Sequence, residues 1–207
     1  MKPSPLIWLT CVALSLVFAA GSGGAAEGPY VGVDTGASIP TNDNYRAHVE
    51  TGGTGAPFVG CMFGEYVGIQ AQVHVLFHPP NSNGNLPQPN LNNRERWTTV
   101  LGFAAGPRFS LPLTERLRLY ALGQAVGFKG LGGRLNQWAP GFAVGGGVDF
   151  NITPAFAVGV FGRWNRAYMA PHPTSLAGQG PDDQGPEDVQ FATAGLSLTY
   201  FYGPRGE

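Results

Sequence analysis

Gly141 to Tyr168 reads GFAVGGGVDF-NITP-AFAVGVFGRWNRAY, two alternating runs on either side of a short turn at Asn151–Pro154. In the first run Phe142, Val144, Val148 and Phe150 fall on one face, and Ala143, Gly145, Gly147 and Asp149 on the other. In the second, Phe156, Val158, Val160 and Trp164 oppose Ala157, Gly159, Phe161, Arg163 and Asn165. A period of two marks β-strands, and strands joined by so tight a turn pair antiparallel. The face opposite the apolar one carries mostly small or charged residues, which suits a narrow polar interior. One face toward hydrocarbon and one toward a cramped bore is the pattern of a strand in a small membrane barrel.

Six further strands repeat this pattern. Tyr30–Ile39 sets Val31, Val33, Ala37 and Ile39 against Asp34 and Ser38. A strand over roughly Ala56–Phe63 turns at Gly64-Glu65 into Tyr66–Phe77, where Val67, Ile69, Ala71, Val73, Val75 and Phe77 oppose Gly68, Gln70, Gln72 and His74. Trp97–Leu111 follows, then a turn at Pro112–Arg116 and a strand over Leu117–Gly127, and Asp188–Tyr202 comes last. The reading is an all-β, eight-stranded antiparallel up-and-down transmembrane β-barrel.

The connections support it. Short turns at Gly64-Glu65, Pro112–Arg116 and Asn151–Pro154 alternate with long polar segments at Pro40–Gly55, His78–Glu95, Phe128–Ala139 and Ala170–Glu187. Strict alternation gathers every long loop at one end of the sheet, the asymmetry that bacterial barrels show. Pro107 lies inside a strand and lacks a ladder donor, so a bulge is expected there.

Composition fits one domain: 207 residues, 12% of them charged, with formal net charge −1 and no excess that would favour nucleic acid. The only lysines are Lys2 and Lys129. Lys2, an apolar run over Leu6–Ala20 and small residues up to Ala26 read as an export signal, giving 1–26 as a removed leader and 27–207 as the barrel. Beyond that run no stretch approaches the ~18 apolar residues of a spanning helix. Cys61 is then the single cysteine, without a disulfide partner in the same chain. No helix is expected after the leader.

The chain resembles the small outer-membrane β-barrel domains of the OmpA type. The resemblance rests on PYVGVDTGAS, LGFAAGPRFSLPLTERLRLYALGQAVGF, the hairpin GFAVGGGVDFNITPAFAVGVFGRW and the closing FATAGLSLTYFY. It implies an outer-membrane location and contact with outer-membrane lipid and the assembly machinery, and leaves open the identity of any extracellular loop partner. Two departures stand out. Gly203–Glu207 follow Tyr202 where family members commonly end on an aromatic residue, and the tail is too short for the peptidoglycan-binding domain that some relatives carry.

The candidate site is a lumen charge network of Asp34, Arg108, Arg118, Asp149 and Arg163, all on the inward face, with Gln70, Gln72, His74, Gln124 and Asn165 beside them. An eight-stranded bore is just wide enough for side chains to fill it. The arginine fork suits pairing with carboxylates. His48, His74, His78 and His172 show no metal-ligand spacing, with three of the four assigned to loops or a loop edge, and Ser175 beside His172 sits in a Pro/Gly-rich segment. No catalytic, cofactor or metal residue is therefore assigned. The expected role is structural or surface-adhesive, without catalysis. The alternatives are a narrow channel or a small-ligand- or lipid-binding barrel, and further off a lipid-modifying envelope enzyme. Tyr30, Phe63, Tyr66, Phe77, Trp97, Phe150, Phe156, Trp164, Tyr168, Tyr200 and Tyr202, near strand ends, are expected to form interfacial girdles.

The loop pattern generates a direct test. An epitope tag inserted near Gly84 should be reached by antibody on intact cells, because Pro/Gly/Asn-rich loops tolerate insertion. A tag at Gly64-Glu65 should be reached only after the outer membrane is breached. The reverse labelling would invert the topology.

Overall fold

A computed structural model describes residues 28–46, 49–79, 98–131, 138–168 and 188–202. The strands are β1 (Pro29–Pro40), β2 (Gly52–Met62), β3 (Val67–His78), β4 (Thr98–Pro112), β5 (Leu117–Leu131), β6 (Trp138–Thr153), β7 (Phe156–Tyr168) and β8 (Asp188–Phe201). Each pairs antiparallel with the next, and β1 pairs with β8, so the sheet closes. Closure satisfies backbone donors and acceptors within the wall, the condition for strands to sit in hydrocarbon. The leader, His48, Trp97, His172 and Ser175 lie outside the described residues.

The alternation read from the sequence is the in–out alternation of the wall. On β3, Gln70, Gln72, His74, Leu76 and His78 are buried, while Val67, Ile69 and Phe77 are exposed. Large apolar residues such as Phe109, Val160 and Leu196 cover the outside, and Leu196 is 56% exposed. Such a band matches lipid tails and would be an unusual surface in water. Among the described residues, no helix is long and apolar enough to cross a membrane.

Several boundaries differ from the sequence reading. β2 begins at Gly52, β5 runs on to Leu131 and β6 starts at Trp138. Glycines that read as loop there are strand residues, because pairing with a neighbour overrides weak intrinsic propensity. A single helical turn, α1 (Asp43–Arg46), stands in the first long connection, where no helix was expected. Asp43 lies in its first turn and Arg46 in its last, which complements the helix dipole.

No bulge forms at Pro107. The ladder runs Ala105↔Ala125 and then Arg108↔Leu122 with the register unchanged, and a like gap falls at Pro57, between Gly55↔Val75 and Phe58↔Gln72. A proline nitrogen has no hydrogen to donate, so each ladder skips pairs without taking in an extra residue. The register shift lies instead between Asn151 and Thr153, beside the β6–β7 turn. There the Thr153 hydroxyl accepts from the Phe156 amide at 3.0 Å.

Glycine answers a spatial demand inside the wall. Tyr30 stands opposite Gly60, Phe58 opposite Gly32, Phe128 opposite Gly102 and Tyr120 opposite Gly147. A Cβ at Gly102 would come within 2.6 Å of the Phe128 ring, and one at Gly147 within 2.7 Å of the Tyr120 hydroxyl. Each ring lies over the bare backbone of its cross-strand partner, the same device by which aromatics shield strand glycines.

Gly60→Val should therefore lower the unfolding midpoint in detergent, by an amount corresponding to ~1–3 kcal/mol for overpacking. Gly162→Val, where an added Cβ meets nothing within 4 Å, should leave it nearly unchanged. Urea titration followed by heat-modifiable gel migration checks both.

Candidate functional site: the filled bore

Inward-facing side chains from five strands join in one hydrogen-bonded chain across the lumen. Arg108 Nη2 on β4 donates to Asp149 Oδ2 on β6 at 2.6 Å, and its Nη1 donates to Gln70 Oε1 on β3 at 3.0 Å. Gln70 Nε2 donates to Gln72 Oε1 at 3.4 Å, and Gln72 Nε2 to Asp34 Oδ2 on β1 at 3.0 Å. Arg163 Nη2 on β7 donates to that same Asp34 oxygen at 3.0 Å. Both ion pairs are sealed from solvent, with Asp34 and Asp149 each 1% exposed.

Arg108 is held on its faces as well as its edges. Its guanidinium carbon lies 4.0 Å from the Tyr120 ring centroid and 5.2 Å from that of Tyr30. The Tyr30 hydroxyl also donates to Gln70 Oε1 at 3.2 Å. A planar, weakly hydrated cation between aromatic faces is well suited to a dry site. Tyr30, counted with the girdle in the sequence reading, is fully buried and points inward. Its even-numbered parity with Asp34 was the available signal.

Of the five charges named from sequence, Arg108 meets Asp149 and Arg163 meets Asp34. Arg118 is also buried, directly across the β5–β6 ladder from Asp149, with its guanidinium 5.9 Å from the Phe201 ring. The glutamines that couple the two ion pairs, and the tyrosines that clamp Arg108, complete the cluster.

The other half of the bore, toward the long loops, is dominated by aromatic and aliphatic side chains, with His74 and His78 among them. Tyr45, Val49, Leu76, Val100, Phe128 and Phe191 belong to one buried cluster there. Phe128 and Phe191 meet edge to face at 5.3 Å, and Phe128 packs against His74 at 5.9 Å. Both ring nitrogens of His74 lack a hydrogen-bond partner among the described residues. The sequence reading assigned His78 and Phe128 to loops and expected a polar interior throughout. Both are fully inside, because β3 and β5 extend further than their flanking Pro and Gly residues suggested.

The segment after β1 closes this end. Tyr45 of α1 packs on His78 at 5.5 Å, and burial pushes the Tyr45 phenol above its ordinary pKa. His78 Nδ1 lies 3.0 Å from the Glu50 carbonyl and Nε2 lies 3.2 Å from Ser38 Oγ. A carbonyl only accepts, so Nδ1 carries a proton there. His78 thus ties the first loop to the wall. Among the described residues no group of three or more His, Cys, Asp or Glu side chains comes together.

A family model described as outer membrane protein beta-barrel domain matches residues 9–200. The chain belongs to that family. Similar solved structures are small barrels of outer membranes. One is Neisserial surface protein A, with a TM-score of 0.57 at 12% identity over 86% of this chain and 99% of that one. Another is the outer membrane protein OprG of Pseudomonas aeruginosa, with 0.50 at 11% identity over 86% and 98%. No curated protein sequence matches the chain. This barrel therefore lies in the outer membrane.

The buried pairs generate a double-mutant test. Asp149→Ala leaves Arg108 buried without its carboxylate and should lower stability by ~3–5 kcal/mol. Arg108→Met with Asp149→Leu removes both charges and should lose less than the Asp149 change alone. Equilibrium unfolding of the detergent-solubilised barrel checks the order.

Proposed function

We propose that this barrel is a closed, non-catalytic element of the outer membrane whose role is structural and adhesive, acting outward through its long loops. The observation that carries the reading is the filling of the bore at two levels. A charge chain from Asp149 to Arg163 crosses the periplasmic half, and an aromatic cluster under Tyr45 and Val49 fills the other. A hydrated ion passing along this axis would have to part buried ion pairs and then enter an apolar zone. Each step carries a large desolvation cost. Surface contact is left to the loops, which rise from a rigid wall in the way that recognition loops generally do.

Reconstitution into planar bilayers tests the closed state. The wild-type barrel should give no steady conductance. The combined change of Asp34, Arg108, Asp149 and Arg163 to Ala should produce a leak, because these side chains occupy the bore. A large, stable, ion-selective current from the wild type would overturn the reading in favour of a channel. The adhesive role is tested separately: replacing residues 80–97 with a short Gly/Ser linker should reduce attachment of expressing cells to host surfaces while leaving the barrel folded. Unchanged attachment after all long loops are replaced in turn would remove adhesion from the proposal.

A further inference from the structure

One imidazole fastens the first loop to the barrel. His78, the last residue of β3, is fully buried and meets that loop at three places. Its Nε2 lies 3.2 Å from Ser38 Oγ, near the end of β1 where the loop departs. Tyr45 of α1, midway along the loop, packs edge to face on the His78 ring at 5.5 Å. Its Nδ1 lies 3.0 Å from the Glu50 carbonyl, just before β2 begins. Main-chain bonds add to this at the two ends of the loop, from Thr41 N to the Gln190 carbonyl at 2.9 Å and from Glu50 N to that of Pro79 at 3.0 Å. Between those ends Tyr45 and Val49 are buried over the mouth of the bore.

These contacts need one protonation state. With Nδ1 donating to a carbonyl, the neutral ring leaves Nε2 a lone pair that accepts from the Ser38 hydroxyl. A second proton would turn Nε2 into a donor, force the hydroxyl round, and put a full charge in a buried place, which is unfavourable without a partner. The groups facing the ring are the Ser38 hydroxyl from β1, the Tyr45 phenol from α1, Phe191 from β8 at 6.4 Å, and Glu50 through its main-chain carbonyl. Thr98 stands across the ladder on β4, and His74 lies four residues back on the same face of β3. Asp43 and Arg46 of α1 are exposed. None of these contacts brings a formal negative charge to the ring. A lifted loop would instead give the imidazole to water, where it takes up a proton at about pH 6.5. Proton uptake therefore belongs to the lifted form, and acid favours that form by linkage.

We infer that His78 is an acid-released latch on the first loop: neutral, it clamps Tyr45 and Val49 over the mouth of the bore, and protonated, it lets that segment swing outward. The fastening is complete above about pH 6.5 and is lost as the pH falls below it. Release uncovers the aromatic cluster of Phe128 and Phe191 at the long-loop end. The charge chain from Asp149 to Arg163 lies in the other half of the bore, so the inference is independent of whether the bore conducts.

Spin-label spectroscopy of the full barrel, purified from membranes in detergent, tests it. Cys61→Ser removes the native thiol, and a nitroxide at Asp43→Cys reports on α1 from an exposed position. Between about pH 8 and pH 5 the spectrum should gain a reversible, more mobile component, with its midpoint below about pH 6.5. The closed-to-lifted ratio should change by no more than about tenfold per pH unit, the limit for one proton. His78→Gln keeps a donor and an acceptor on a group that does not titrate, and should abolish the step. Glu50→Gln, His48→Gln and His74→Gln should each retain it. The ring nitrogen-15 shifts of His78, assigned by difference from His78→Gln, should titrate with the same midpoint as the step. Heat-modifiable migration at both ends of the pH range confirms a folded wall. A spectrum that does not change with pH would overturn the latch, as would a His78 ring that stays neutral through the step. So would a step that survives in His78→Gln, or one that disappears in any of the other three variants.

Discussion

Eight strands closed upon themselves fix the width of the bore, and every inward side chain has to fit it. A closed sheet is imposed by hydrocarbon, which offers the backbone no hydrogen-bond partners. Once the number of strands is set, the interior has room for side chains and little more. The wall meets this limit by setting large against small across neighbouring strands. Tyr30 faces Gly60, Phe58 faces Gly32, Phe128 faces Gly102 and Tyr120 faces Gly147. At these four positions glycine is a packing requirement.

The same limit explains why charges are tolerated inside. A narrow, dry space makes an isolated charge very unfavourable and an ion pair with well-made hydrogen bonds acceptable. Arg108 satisfies this with a carboxylate, a glutamine oxygen and two tyrosine faces. Gln70 and Gln72 then act as neutral couplers, each donating and accepting, so that two ion pairs on different strands share one network. Above them the lining turns aromatic, and the first loop covers it.

Much of this was legible in the sequence because period-two alternation is local. The eight strands, the facing of Asp34, Arg108, Arg118, Asp149 and Arg163, and the single end of long loops all follow from parity and turn spacing. Which charges meet did not follow. Arg118 stands opposite Asp149 on adjacent strands, yet Asp149 accepts its short hydrogen bond from Arg108, two strands away from β6. That choice depends on strand stagger and on reach across the bore, which no single strand encodes. The apolar half was missed for a different reason. Phe128 follows Gly127 and His78 precedes two prolines, so both read as loop, although each has the parity of the inward residues before it.

The contact between Asp34 and Arg163 joins residues 129 positions apart, on the first and the seventh strands, across the β8 seam where the sheet closes. No partly formed sheet lacking that seam can make it. Its stabilisation therefore arrives only with closure of the seam. The ion pair is thus a latch on the finished barrel, made only once the first strand has met the last.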